Sequence, residues 1–302
     1  MRKPVVLCIL DGCGLRDESD GNAFLNANKP TFDNLVKKYP HSILKASGPA
    51  VGLPEGQMGT SEVGHMNIGS GRIALQPLQA ITQSIENKSF YKNKEILEVL
   101  KHVKDNNSNL HIMGLLSDGG IHSHINHLLA LLDLCKMEGV KNIYVDVFTD
   151  GRDTYEMSAL SYLDLLDKKL KEVNGKISTI SGRYYAMDRD KRWQRIQKSY
   201  DAMVNGVGEK AQSAISAIES SYQKEVFDEF VEPTVICNGE NPVATIGKDD
   251  SVIFFNFRPD RAREMTRCFC DDDFKGFDRK RLDVKFVCFS DYDSTIPNKS
   301  VA

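Results

Sequence analysis

Ser61 and Asp11 are the residues of this chain whose types and settings best suit joint chemistry. Ser61 stands in the run Gln57-Met58-Gly59-Thr60-Ser61-Glu62-Val63-Gly64-His65-Met66-Asn67, between a glycine-containing loop and a predicted helix start. A helix N-terminus favours an anion such as a phosphoryl group. Upstream, the apolar run Pro4 to Leu10 breaks off at Asp11-Gly12, and a buried strand ending in a carboxylate is where open α/β sheets build sites. A serine hydroxyl is a weak nucleophile at neutral pH until a base or a metal activates it. No Gly-x-Ser-x-Gly elbow and no Ser-His-Asp order surround Ser61, so base activation lacks support. A divalent cation would depress the hydroxyl pKa directly, and Asp11 offers hard oxygens that suit Mn2+ or Mg2+. A plainer alternative stays open, in which Ser61 caps a helix and Asp11 caps a turn.

Phosphoryl transfer asks for charge stabilisation and alignment more than covalent ingenuity, and arginines can supply both. Arg152, Arg183, Arg189, Arg258 and Arg261 fall at or beyond the ends of predicted strands. Their forked guanidinium groups suit phosphate and carboxylate alike. Solvated loop arginines are the alternative, preferred for Arg192 and Arg195 beside Trp193 on a predicted helix. Asp153 follows Arg152 in a glycine-containing loop, where its plain role is a brace to the arginine. A carboxylate between arginines favours its charged form, which suits a base better than an acid. His122, His124 and His127 resemble a metal cluster in spacing, but they straddle a loop-to-helix transition and need not converge on one ion. His65, four residues past Ser61, reads as supporting rather than ligating.

The elements that would position these residues alternate along the chain. Apolar runs predict strands at Val5–Leu10, His111–Leu116, Ile143–Phe148, Ile177–Ser181, Val252–Phe257 and Val284–Phe289. Helical patterns cover Ile81–Ile85, Lys94–Lys104, Ile125–Met137, Glu156–Glu172, Arg192–Asn205 and Lys210–Glu219; Leu160, Leu163, Leu166 and Leu170 form one apolar stripe. The alternation predicts an α/β fold with a mainly parallel sheet, and 302 residues suffice for two domains. A formal net charge of −3 argues against a nucleic-acid partner. No apolar stretch approaches the ~20 residues of a membrane span, and the opening Met1-Arg2-Lys3-Pro4 lacks a signal-peptide pattern. The seven cysteines are irregularly spaced, as free, mostly buried thiols of a reducing compartment would be. Cys268-Phe269-Cys270 lacks the second Cys or His pair that a zinc site needs.

Six segments, in order, resemble the cofactor-independent phosphoglycerate mutases of the alkaline phosphatase superfamily. They are Leu10–Gly14, Gly59–Gly69, Ser117-Asp118-Gly119-Gly120-Ile121-His122-Ser123-His124, Thr149-Asp150-Gly151-Arg152-Asp153-Thr154, Gly182–Asp190 and Asn256-Phe257-Arg258-Pro259-Asp260-Arg261. The resemblance implies interconversion of 3-phosphoglycerate and 2-phosphoglycerate through a phosphoserine at Ser61, without 2,3-bisphosphoglycerate. It implies substrate binding by His122, Arg152, Asp153, Arg183, Arg189, Arg258 and Arg261, with Asp153 as the acid/base for the glycerate hydroxyls. Asp11 and Ser61 would be metal ligands for two divalent ions, manganese being the expected pair. Residues 1–76 would form part of a phosphatase-like domain and 77–302 an inserted transferase domain. The rest of the first domain, with further Asp, His and Lys residues of the site, would follow residue 302. On that expectation the 302-residue chain by itself lacks mutase turnover. A cytoplasmic, monomeric glycolytic and gluconeogenic isomerase is implied, with a small-molecule substrate and neither nucleic acid nor membrane as partner. A metal-dependent phosphohydrolase of the same superfamily and a non-catalytic phosphoglycerate-binding module are the alternatives.

Overall fold

Long runs of apolar residues that alternate with amphipathic helices need a sheet covered on both faces, and residues from 80 onward build one. The computed structural model describes residues 3–302, so Met1 and Arg2 of the opening tetrapeptide lie outside the described residues. The chain divides into two compact units, one ending at Gln79 and one running from Ala80 to Ala302.

The first unit contains helices α1 (Ala23–Asn26), α2 (Pro30–Lys38) and α3 (Ser61–Ser70), and α4 (Pro77–Glu86) crosses the division. The predicted strand Val5–Leu10 is not formed: the segment is irregular, with Val5, Val6 and Leu7 96, 85 and 71% exposed. A strand needs hydrogen-bonded neighbours and an apolar face to bury. Among the described residues, no other segment of this unit supplies a strand.

The second unit holds all nine strands found among the described residues: β1 (Leu110–Leu115), β2 (Ile143–Thr149), β3 (Lys176–Gly182), β4 (Glu209–Ala211), β5 (Thr234–Asn238), β6 (Asn241–Pro242), β7 (Ser251–Phe254), β8 (Lys285–Cys288) and β9 (Lys299–Val301). Their order is β4-β5-β3-β2-β1-β7-β8-β9, with β6 paired to β5. The pairings between β3 and β9 are all parallel; β5 runs antiparallel to β3 and to β6. One face carries α5 (Lys94–Asn106), α6 (Ile125–Met137), α7 (Ala159–Val173) and α10 (Ala214–Gln223), which bury residues such as Leu100, Leu131, Leu166 and Ile218. The other carries α9 (Trp193–Asn205) and α11 (Arg263–Cys270), with Ile196, Tyr200, Met265 and Phe269 inside; α8 (Arg183–Ala186) follows β3 directly. Leu163, Leu166 and Leu170 of the predicted stripe are buried, and Leu160 packs beside them. Helix α7 begins at Ala159 rather than 156 because the buried Asp228 carboxylate accepts from the amides of Ser158 and Ala159, each at 2.9 Å. The predicted helix Lys210–Glu219 is instead strand β4 followed by α10, since Ser213 starts a new helix with a reciprocal capping box. Five cysteines are buried, while Cys8 and Cys13 are exposed.

Parallel pairing puts the carboxyl ends of β1, β2, β3 and β7 on one edge, and the chain order reverses direction at β1. Such a switch point is where open α/β sheets place ligands. Gly182 ends β3 against the next loop, and a Cβ there would lie 2.3 Å from the Glu229 carbonyl oxygen and 2.7 Å from the Val231 nitrogen. Both obstacles are backbone, so Gly182→Ala should destabilise the second unit by about 2 kcal/mol or more. Urea unfolding followed by fluorescence of the single tryptophan, Trp193, measures this; an unchanged midpoint would show that the loop gives way freely.

Candidate active site

Four loops leave the carboxyl edge of the sheet and carry the site. After β1, the segment from Leu116 turns back at His122, whose carbonyl accepts from Phe257 N at 2.8 Å. The buried Asn256 side chain ties the same two loops by accepting from Leu115 N at 2.9 Å. This explains why the apolar run Val252–Phe257 stops being a strand at Phe254: its last residues grip the neighbouring loop. After β2 comes Asp150-Gly151-Arg152-Asp153. Gly151 has φ +68°, and a Cβ would sit 2.7 Å from Glu229 N, so the turn requires glycine. After β3, Arg183 opens α8.

Arg183 is the centre of the cluster. Its side chain is 2% exposed, and one guanidinium nitrogen donates to both Asp150 Oδ1 and Asp153 Oδ2 at 2.7 Å. Asp150 Oδ1 also accepts from the amides of Arg152 (3.1 Å) and Asp153 (2.9 Å). Asp153 Oδ2 lies 3.8 Å from His122 Nε2, and Asp260 Oδ1 lies 3.6 Å from His122 Nδ1. Asp260 in turn pairs with Arg189 at 2.9 Å and with Arg258 Nε at 3.1 Å. Arg261 donates to the Met187 carbonyl at 3.0 Å. Arg152 projects outward, 59% exposed, towards Glu229 at 3.5 Å. All seven residues expected to contact substrate therefore lie on these loops, with Arg152 at the rim. Arg192 and Arg195, expected above to be solvated, instead both face the buried Asp188 carboxylate, at 3.3 and 3.4 Å, and Arg195 stacks on Tyr184.

The field is dominated by positive charge that is only partly neutralised. Burial and the neighbouring Arg183 lower the His122 pKa to about 4, against the opposing pull of Asp260 and Asp153. Burial and the nearby Arg183 and Arg189 also lower Arg261. An added anion relieves both strains. His124 and His127 do other work. His124 caps α6 by accepting from Asn126 N at 3.1 Å, and His127 Nε2 meets the Thr82 hydroxyl at 3.0 Å.

In the first unit, Ser61 is the first residue of α3 while Thr60 is its cap, accepting from Val63 N at 3.4 Å. The capping alternative for Ser61 is therefore taken by its neighbour. The Ser61 hydroxyl donates to Asp11 Oδ2 at 2.7 Å, and His65 Nδ1 lies 3.3 Å from it. Asp11 and Gly12 form a turn. These two exposed hard oxygens suit a divalent ion such as manganese as part of a donor set. Among the described residues, no group of three or more His, Cys, Asp or Glu could enclose an ion.

Residues 81–294 match the family model for the N-terminus of BPG-independent phosphoglycerate mutases. The chain belongs to this family. It is 56% identical over 302 residues to the 2,3-bisphosphoglycerate-independent phosphoglycerate mutase of Clostridium novyi, and 54% identical over 304 residues to that of Lachnoclostridium phytofermentans. Each match takes in all of this chain and 59% of the relative. A crystal structure of Leishmania mexicana phosphoglycerate mutase at low cobalt concentration superposes with a TM-score of 0.76 at 33% identity, over 87% of this chain and 50% of that one. No helix among the described residues is long and apolar enough to cross a membrane.

Asp150 and Asp260, two motif carboxylates of the cluster, were given no role by sequence reasoning. Asp150 had a signal: like Asp11, it is a carboxylate at the end of an apolar run. The His122 assignment is open to titration. A histidine whose folded pKa lies below its unfolded value of about 6.5 binds fewer protons when folded. Its contribution to stability is thus full above pH 6.5 and declines as pH falls from 6.5 towards 4. The difference in unfolding free energy between wild type and His122→Gln should fall over that window, which isolates it from the opposite drift of Asp228 and Glu264, both shifted upward by burial. Unfolding measured from pH 7 to pH 4 checks this, and a flat difference would place His122 in a less buried setting.

Proposed function

We propose that the second unit binds phosphoglycerate and serves a cofactor-independent mutase that interconverts 3-phosphoglycerate and 2-phosphoglycerate. The observation that carries this reading is the convergence of Arg183, Arg189, Arg258, Arg261 and His122 at the sheet switch point, with Asp153 among them. Phosphoglycerate offers two anionic ends and a hydroxyl. Guanidinium forks match the anionic ends bidentately, and Asp153 is the group that takes and returns the hydroxyl proton. Arg183 orients Asp153, because the guanidinium nitrogen it offers is also held by Asp150.

Ser61 is the nucleophile of this reading. In the first unit it would take up the phosphoryl group as a phosphoserine, its O–H proton being lost as the P–Oγ bond forms and the glycerate P–O bond breaks. In the second, Asp153 would exchange protons with the glycerate hydroxyls, so that the released oxygen gains the proton that the serine gives up. Asp11 and Ser61 are the residues of this chain that would hold divalent metal, with Mn2+ the ion their oxygens suit. Bound metal would supply the electrostatic lowering of the hydroxyl pKa that a free serine lacks. The hydrogen bond from Ser61 to Asp11 already aligns the hydroxyl for proton loss. The family's place in glycolysis fits a cytoplasmic monomer acting on a small molecule.

Titration calorimetry with 3-phosphoglycerate tests the binding half directly. Wild type should bind, and Arg189→Ala and Arg258→Ala should each weaken binding by about tenfold, the worth of one charge-assisted hydrogen bond. Both side chains are about half exposed, so their loss should leave urea stability within about 0.5 kcal/mol. Absence of binding by the wild-type chain would remove the reading.

A further inference from the structure

We infer that Asp150 is a positioning residue for this site: its carboxylate sets the Arg152–Asp153 loop and the Arg183 guanidinium in one geometry. The inference rests on the phosphoglycerate-binding reading for what the geometry is for, but not for the geometry itself. Asp150 is 1% exposed and stands directly after β2, the second strand out from the switch point. A single oxygen, Oδ1, accepts from Arg152 N, Asp153 N and Arg183. Three of the seven expected substrate-contacting residues are thereby fixed by an atom that lies behind them.

Several observations favour positioning over simple packing. The arginine bridges the two aspartates through one nitrogen, so Asp150 determines where the guanidinium sits when Asp153 changes protonation. A buried arginine left with a single carboxylate that must also exchange protons would be poorly held. Asp150 supplies the permanent partner and frees Asp153 for proton transfer. Burial works against the Asp150 charge, but Ser117, the Asp153 amide and Arg183 outweigh it and hold its pKa below the usual carboxylate value. Gly151 completes the device, since its left-handed φ of +68° lets the two following amides turn back onto the carboxylate.

The test uses the 302-residue chain with 3-phosphoglycerate and inorganic phosphate as probes. Asp150→Asn keeps a carbonyl acceptor for the amides and loses the charge; Asp150→Ala loses both. Asparagine should weaken 3-phosphoglycerate binding by about tenfold, and alanine should weaken it further. Phosphate should follow the same order. Amide exchange and NMR shifts of Arg152 and Asp153 give a second readout that needs no ligand. Both amides should be protected in wild type, retained in part in Asp150→Asn and released in Asp150→Ala. A residue that only filled space would leave those two amides unmoved. Binding by wild type with equal affinity in Asp150→Asn and Asp150→Ala would overturn the inference while leaving the functional reading intact. Failure of wild type to bind would remove the functional reading, and the amides would still decide the positioning role. If neither variant folds, fast exchange of the two wild-type amides would overturn it, and protection would sustain it.

Discussion

A guanidinium buried at 2% exposure cannot stay without anionic partners, and the arrangement of the second unit follows from how Arg183 meets that demand. Removing a charge from water costs several kcal/mol unless geometry and hydrogen bonds compensate. Asp150 and Asp153 compensate from the β2 loop, and their approach fixes that loop. Asp153 then faces His122, and His122 faces Asp260, which holds Arg189 and Arg258. Ion pairs and the neutral His122 therefore alternate across four loops. Each member constrains the next, and the uncompensated positive potential is left where an anion can use it.

The sheet makes that alternation possible. Parallel register delivers four carboxyl ends to one edge, and both faces are closed by helices whose buried stripes leave little freedom to the strands. Rigid strands with irregular ends are a suitable support for a site built from converging charged side chains. Glycine appears where loops touch backbone: Gly151 and Gly182 lie against the segment from Asp228 to Val231. That segment also caps α7 through Asp228. One stretch of chain thus supports the site loop on one side and the helix start on the other.

Much of this was legible in the sequence where one local rule decides the outcome. Strands buried on both faces read as continuous apolar runs, so β1, β2, β3 and β8 were visible with small errors at their ends. The apolar run Val252–Phe257 was overextended, because Asn256 turns inward to hold β1, a choice made by tertiary structure. Val5–Leu10 shows the opposite limit: an apolar pattern states what a segment can bury, while a strand also needs a partner. Motif resemblance singles out the arginines and Asp153 as candidates but gives Asp150 and Asp260 no role. A carboxylate's task depends on which loops face it, and spacing along the chain does not carry that information. Arg195 differs similarly, since its partners Asp188 and Tyr184 lie before the start of α9, outside the helix that carries it.

On the proposed reading, the carboxyl edge of the sheet holds the anionic substrate. Chemical-shift mapping of the isotopically labelled chain with 3-phosphoglycerate tests it most directly. The predicted result is a set of perturbations confined to residues 117–122, 150–153, 182–189 and 256–261. Perturbations centred elsewhere, for instance in the hollow between α10 and β4 lined by Lys210, Ser220 and Lys224, would contradict it.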